Sequence, residues 1–109
     1  MTKRVAVIGV GSYPFRARHP EMTYNALAFE TTKRTLDDAG LTIKDVDSAI
    51  YGIYNDFFER QFMADIYVHD HIGMILKPGT RVTTGGATGG YAIRTAYAEV
   101  ASGLSDIVF

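Results

Sequence analysis

The apolar positions of this chain repeat with two different periods along its length. Short runs rich in β-branched residues predict strands at 4–10, 48–54, 80–84 and 106–109. Between these runs, apolar residues at helical spacing predict helices at 24–39, at about 59–68 and from about 87 to 102. The order β-α-β-α-β-α-β predicts an α/β fold with a mainly parallel sheet that is covered by helices.

The first helix has clear signals at both ends. Thr23 is a candidate N-cap, and Gly40 followed by Leu41 is a typical C-terminal stop with a hydrophobic contact. The last helix has a face of small and apolar residues, which would let neighbouring elements approach closely, and we expect Glu99 on its opposite, polar face. The small and apolar positions are Gly89, Ala92, Ile93, Ala96, Val100 and Gly103.

Composition narrows the classes of function. The 109 residues allow one domain, and 47% hydrophobic with 21% charged residues is typical of a globular protein. A formal net charge of −1 argues against nucleic-acid partners and anionic membranes. Since no segment is long enough to span a bilayer, we expect a cytoplasmic protein. The chain has no cysteine, which excludes disulfides, thiolate metal sites and thiolate nucleophiles.

The segment TTGGATGGYA at residues 83–92 is the strongest candidate site. It places four glycines where a predicted strand passes into a predicted helix, although glycine weakens a helix by about 1 kcal/mol relative to alanine. A helix N-terminus presents unpaired backbone N–H groups and a partial positive charge, which stabilise an oxyanion or a thiolate. Close packing of the helix on the sheet would be the purely structural explanation.

Three other features are weaker candidates. GVGSYP at 9–14 imitates the start of a dinucleotide-binding turn, but Pro14 replaces the third glycine and no acidic residue ends the second strand. Asp65, His69 and His71 could be combined into a metal site, although solvated residues at a helix end explain them better. A group of aromatic residues is more typical of a core or subunit interface than of a ligand cage. These aromatic residues are Phe57, Phe58, Phe62 and Tyr67.

Three segments in order resemble the thiolase superfamily, in particular the sterol-carrier-protein-type thiolases and acetyl-CoA acetyltransferases. RVAVIGVGSYPF resembles the first strand and loop of that family, and TKRTLDDAGLTIKDVDSAIYG resembles its first helix, connector and second strand. TTGGATGGYAIRTAYAEVASGLSDIVF resembles the nucleophile turn, the buried helix and the next strand. Such proteins are several-fold longer, so we expect residues 1–109 to be a partial N-terminal thiolase-like domain.

The resemblance implies an acyl-CoA thioester as substrate, no bound cofactor and a role in lipid metabolism. It also implies a dimer or other oligomer with a like chain or a related one. The family carries a cysteine nucleophile where this sequence has Gly86, so the catalytic residues are unknown. The substrate-binding candidates are Thr84, Gly85, Gly86, Ala87 and Thr88.

Three interpretations of the missing nucleophile remain open. The protein resembles cysteine-free relatives that cleave or form a carbon–carbon bond as aldolases, with acid/base groups outside residues 1–109. It could instead be a catalytically silent subunit that stabilises an active partner. A dinucleotide-binding domain is the weakest alternative.

Overall fold

The computed structural model describes residues 4–57 and 59–109, and in that part it is a mixed α/β structure. The helices are α1 (Tyr24–Ala39), α2 (Ala64–His71) and α3 (Thr88–Ala101), and a short 3-10 turn covers Ile43–Asp45. The strands β1 (Ala49–Gly52) and β2 (Gly79–Val82) pair in parallel, with Ala49 opposite Gly79 and Gly52 opposite Val82. The predicted α/β class with a parallel sheet is therefore confirmed. In the described ranges no helix is long and apolar enough to cross a membrane.

Residues 106–109 lie parallel to β1 on the side away from β2. The Asp47 amide donates to the carbonyl of Ile107 at 2.9 Å, and the Phe109 amide donates to the carbonyl of Ser48 at 3.0 Å. The Ile50 amide donates to the carbonyl of Phe109 at 2.7 Å. This segment makes a bridge between Ser48 and Val108 instead of a full strand, but it occupies the sheet position that the sequence predicts.

The strand predicted at residues 4–10 is wrong, because these residues form no ladder in the structure. The segment packs on α1 instead of pairing with β1. A Cβ on Gly9 would lie 2.7 Å from the Cβ of Ala39, and one on Gly11 would lie 2.4 Å from Oγ1 of Thr35. The segment thus has the apolar composition of a strand but no neighbouring strand within the described residues.

Helix α1 has the predicted bounds and caps. Oγ1 of Thr23 accepts a hydrogen bond from the Ala26 amide at 3.1 Å. Gly40 ends the helix with φ +68°, and the Leu41 amide donates to the carbonyl of Leu36 at 3.0 Å. Both caps satisfy backbone groups that a helix end leaves unpaired, so α1 is defined locally.

Helix α2 begins at Ala64, later than the predicted start near residue 59. Arg60 and Met63 adopt left-handed backbone conformations, with φ of 52° and 57°. Non-glycine residues rarely take such angles, and a helix cannot pass through them. The helix-like apolar spacing therefore begins several residues before the helix itself.

The core lies between β1 and the helices α1 and α2. Met74 and Ala49 are completely buried, and Tyr51 is 8% exposed. The other members of this apolar cluster are Val46, Val68 and Ile72. Burial of these side chains is the main favourable free energy available to the fold.

Asp47 connects residues 106–109 to the start of β1. Its Oδ2 accepts hydrogen bonds from the amides of Asp106 and Ile107, each at 2.9 Å. These bonds, first that of Ile107 and then that of Asp106, lower the pKa of the Asp47 carboxyl from its usual value. The ionised carboxylate is thus the form that the folded state prefers.

We predict that Asp47→Asn lowers the melting temperature at neutral pH more than Asp70→Asn does. Because the pKa of Asp47 is lowered in the folded state, its stabilisation is complete above the unfolded pKa and disappears as pH falls through the folded value. The difference between wild type and Asp47→Asn should therefore shrink below about pH 4. Thermal melts from pH 2 to 7 test this, and a pH-independent difference would contradict it.

Candidate functional site

The glycine-rich junction connects the carboxyl end of β2 to the first turn of α3. Five exposed residues, 83–87, make the connection. Gly85 has φ +60°, and Oγ1 of Thr88 donates to its carbonyl at 2.7 Å. The same oxygen accepts from the Thr84 amide at 3.0 Å. Thr88 is only 6% exposed, so the residue that fixes this turn is itself held by the fold.

The first turn of α3 presents backbone donors to its surroundings. Ala87 is the N-cap and supplies no side-chain hydrogen bond. Gly89 and Gly90 are exposed, and their amides donate to no acceptor among the described residues. Unpaired amides at a helix N-terminus carry partial positive charge and can receive an anionic oxygen.

The glycines of the junction are required for different reasons. Gly85 needs to be glycine because of its left-handed φ, whereas a Cβ on Gly86, Gly89 or Gly90 would meet no atom within 4 Å. Close packing inside the described chain therefore does not explain the last three. A side chain at residue 86 would fit.

The close approach of helix and sheet occurs at Gly52, which sequence reasoning did not identify as a packing position. A Cβ on Gly52 would lie 3.1 Å from the Cβ of Ala92 and 3.5 Å from Cγ2 of Thr88. A glycine inside a strand is a known signal for such an approach. Gly52 thus sets how near α3 lies to β1.

Arg81 forms ion pairs at the same edge of the sheet. This residue was not identified from the sequence. Its Nη1 donates to Oδ1 of Asp56 at 2.8 Å and lies 3.8 Å from Oδ1 of Asp65. Oγ1 of Thr83 donates to the carbonyl of Ile53 at 2.7 Å. The loop after β1 and the first junction residue are therefore tied together beside the candidate site.

Glu99 connects the other end of α3 to the sheet. Its Oε1 accepts from Oγ of Ser105 at 2.7 Å and from Oγ of Ser48, which is 1% exposed. The prediction that Glu99 lies opposite the packing face of α3 is therefore wrong. A carboxylate at helical spacing can turn inward when buried hydroxyl groups provide donors.

The acidic and histidine side chains of α2 do not form a common site. No group of three candidate metal ligands comes together within residues 4–57 and 59–109. Asp65 faces Arg81, and the ring of His71 packs edge-to-face on Phe29 at 5.9 Å. The prediction of solvated residues agrees with the exposed His71 but is wrong for His69.

Two hydrogen bonds fix the half-buried ring of His69. Its Nε2 lies 2.8 Å from the carbonyl of Lys77, so Nε2 donates. Its Nδ1 lies 2.8 Å from the hydroxyl oxygen of Tyr51, within hydrogen-bond distance. Burial, followed by the charge of Asp65, raises the pKa of Tyr51 well above its usual value. The pair therefore connects β1 to α2.

The remaining candidates do not form sites in the described structure. The segment at 9–14 leads into a loop and α1 begins only at Tyr24, so the turn required for dinucleotide binding is absent there. The side chains of Phe57, Phe62 and Tyr67 are 77%, 83% and 53% exposed, so they are not core. Phe58 lies outside the described residues. An interface role for this group stays a prediction.

The chain has a mixed α/β fold, and the junction between β2 and α3 lies at the carboxyl ends of its two parallel strands, the edge at which open α/β sheets generally bind ligands. No family model matches the chain. It is 33% identical over 106 residues to a Methanocaldococcus jannaschii protein named acetyl-CoA acetyltransferase, covering 95% of this chain and 26% of that protein. A protein of the same name from Methanothermobacter thermautotrophicus is 33% identical over 105 residues, covering 95% of this chain and 27% of the relative. The chain therefore spans about a quarter of the length of these curated relatives.

We predict that Gly85→Ala and Gly86→Ala differ in stability. Gly85→Ala forces an L-residue into a left-handed conformation and should lower the free energy of unfolding by about 1–2 kcal/mol. Gly86→Ala should change it by less than about 0.5 kcal/mol, because its Cβ meets open space. Urea unfolding of the two variants measures this difference, and equal losses would contradict the turn geometry.

Proposed function

We propose that residues 1–109 are part of a thiolase-superfamily protein that acts on acyl-CoA thioesters. The similarity to two archaeal acetyl-CoA acetyltransferases over 95% of the chain supports this relationship. We propose that this chain belongs to a longer protein, because it spans only about a quarter of the length of those relatives. The substrate-binding edge is residues 84–88 together with the first turn of α3.

The observation that carries the proposal is the position of Gly86. It is exposed beside the N-terminus of α3, where the family resemblance places a cysteine nucleophile. Acyl transfer through a covalent acyl-enzyme needs a nucleophile, and glycine provides none. The hydroxyl of Thr88 is engaged with Gly85 and is buried, so it does not replace a thiol.

We therefore favour carbon–carbon bond cleavage or formation of the aldolase type. In the cleavage direction a base removes the proton of the β-hydroxyl group, the Cα–Cβ bond breaks and an aldehyde or ketone leaves. The bonding electrons pass to the thioester as an enolate, which a proton then converts to the shorter acyl-CoA. The unpaired amides of Gly89 and Gly90 are the donors that would stabilise the enolate oxygen.

The base and the rest of the substrate pocket are assigned to polypeptide outside residues 1–109. We keep the silent-subunit interpretation only as the alternative outcome of the experiments, since no contact in the described structure favours it. Assembly with a thiolase-like chain is part of either model.

We predict that the full-length protein forms no covalent adduct with acetoacetyl-CoA, because residue 86 has no nucleophile. Intact-mass spectrometry after incubation should show the unmodified mass. A cysteine-bearing thiolase treated in parallel is the positive control. An acyl adduct mapped to Thr84 or Thr88 would contradict the mechanism.

We predict that Gly86→Cys creates a reactive thiol with a pKa below the usual value of about 8.5. The reason is the partial positive charge at the N-terminus of α3. Ser102→Cys, at the C-cap of the same helix, is the matched control and should show no such decrease. The rate of reaction with a disulfide reagent as a function of pH gives both values. Equal pKa values would show that the helix end does not stabilise charge at residue 86.

We predict that the full-length protein releases an aldehyde or ketone from a 3-hydroxyacyl-CoA. The assay follows carbonyl release across several acyl chain lengths, with and without any chain that co-purifies. Free 3-hydroxy acid is the control, because it lacks the thioester that accepts the electrons. Absence of turnover for every chain length, together with tight association with a cysteine-bearing homologue, would favour the silent subunit.

A further inference from the structure

Lys77 extends its side chain into the connection between α1 and β1. Its Nζ donates to the carbonyl of Ile43 at 2.8 Å, to that of Lys44 at 3.2 Å and to that of Val46 at 2.5 Å. Lys77 is half-buried, and Val46 is only 2% exposed. Because a lysine ammonium has three N–H donors and no acceptor, the backbone of one short segment, residues 43–46, satisfies it completely.

Carbonyl dipoles, and no carboxylate, surround this positive charge. Within residues 4–57 and 59–109, no carboxylate lies at ion-pair distance from Lys77. The carbonyls of Lys44 and Val46 accept from no other donor in that part of the chain. Channels that select K⁺ bind their ion in a similar way, through backbone carbonyls that replace its hydration shell.

The distances suit a large monovalent cation better than a divalent one. Ca²⁺ takes about six to eight oxygen ligands at about 2.3–2.6 Å, and Mg²⁺ requires about 2.0–2.1 Å. Three uncharged oxygens at 2.5, 2.8 and 3.2 Å from one point are too few and mostly too far for either ion. The set of acceptors therefore matches an ammonium ion or another large monovalent cation.

This contact joins the two segments that lead into the sheet. Residues 43–46 lie just before β1, and Lys77 lies just before β2. The carbonyl of Lys77 accepts from Nε2 of His69 at 2.8 Å, and the Ala49 amide donates to the Pro78 carbonyl at 3.1 Å. The main chain of Lys77 is thus fixed to α2, while its charge is placed beside the start of β1.

We propose that residues 43–46 form a monovalent-cation site and that the ammonium group of Lys77 is its permanent occupant. The side chain acts as a tethered cation, so the wild-type site takes no ion from solution. When the lysine side chain is shortened, the three carbonyls become free to bind a small ammonium ion or K⁺. This inference does not depend on acyl-CoA chemistry.

The test uses the full-length protein with Lys77→Ala, which removes the ammonium group and leaves space for a free cation. Hydrogen exchange of the peptide that covers residues 43–50 is followed by mass spectrometry in tetramethylammonium chloride. We expect exchange to be faster than in wild type by about tenfold or more, since the carbonyls lose their donors. Methylammonium or K⁺ at the same ionic strength should slow it again, by about tenfold at about ten times the dissociation constant of the cation.

Lys44→Ala is the matched control. It removes a lysine from the same segment, but the Lys44 side chain is exposed and only its backbone carbonyl contributes to the site. Neither this variant nor the wild type should respond when methylammonium or K⁺ replaces tetramethylammonium. An equal response of all three proteins would be a general salt effect and would overturn the proposal.

Lys77→Met separates the charge from the packing of the side-chain stem. Methionine keeps most of the aliphatic length, has no N–H donor and fills the space that a free cation would need. Its exchange should be faster than in wild type and insensitive to cations, and this comparison decides alone if Lys77→Ala does not fold. Exchange of Lys77→Met at the wild-type rate would overturn the proposal. So would a Lys77→Ala variant that exchanges faster but recovers in neither cation.

Discussion

The close contact between α3 and β1 at Gly52 is the constraint on which the candidate site depends. A Cβ at residue 52 would lie 3.1 Å from the Cβ of Ala92 and 3.5 Å from Cγ2 of Thr88, so a larger residue would push the helix away from the strand. That contact brings the first turn of α3 to the carboxyl ends of both strands. Thr88 takes part twice, because its methyl group faces Gly52 while its hydroxyl fixes the turn at Gly85.

Polar contacts hold this arrangement at both ends of the helix. Arg81 and Thr83 secure the loop after β1 beside the junction, and Glu99 connects the far end of α3 to Ser48 and Ser105. Between these supports, the amides of Gly89 and Gly90 have no hydrogen-bond partner among the described residues. Under the proposed function, these two amides are the donors that would stabilise the enolate oxygen.

Local signals explain which elements could be predicted from the sequence. Helix α1 was predictable to the residue because Thr23 and Gly40 cap it through contacts within a few positions. Residues 4–10 could not be placed, since a strand needs a partner and a β-branched run does not reveal whether one is present. The start of α2 depends on the backbone angles of Arg60 and Met63, which apolar spacing does not encode.

The position of the candidate site could be predicted from the sequence, but the residues that support it could not. The four glycines indicated the helix N-terminus correctly, yet their individual reasons differ: Gly85 has a left-handed φ, whereas the space beside Gly86 is empty. The packing glycine was Gly52, which lies 31 positions before Thr83 and becomes visible only when the sheet forms. Long-range contacts of this kind are absent from any short sequence window.

Amide chemical shifts report directly whether the first turn of α3 receives the thioester. Isotope-labelled protein is titrated with 3-hydroxybutyryl-CoA, and coenzyme A without an acyl group is the control. We expect the thioester to cause shift changes concentrated at four glycines of the junction and the first turn. These are Gly85, Gly86, Gly89 and Gly90. The changes should be lost in Gly52→Val, because a valine side chain would push α3 away from β1. Changes confined to other parts of the chain, or the same changes with coenzyme A alone, would contradict it.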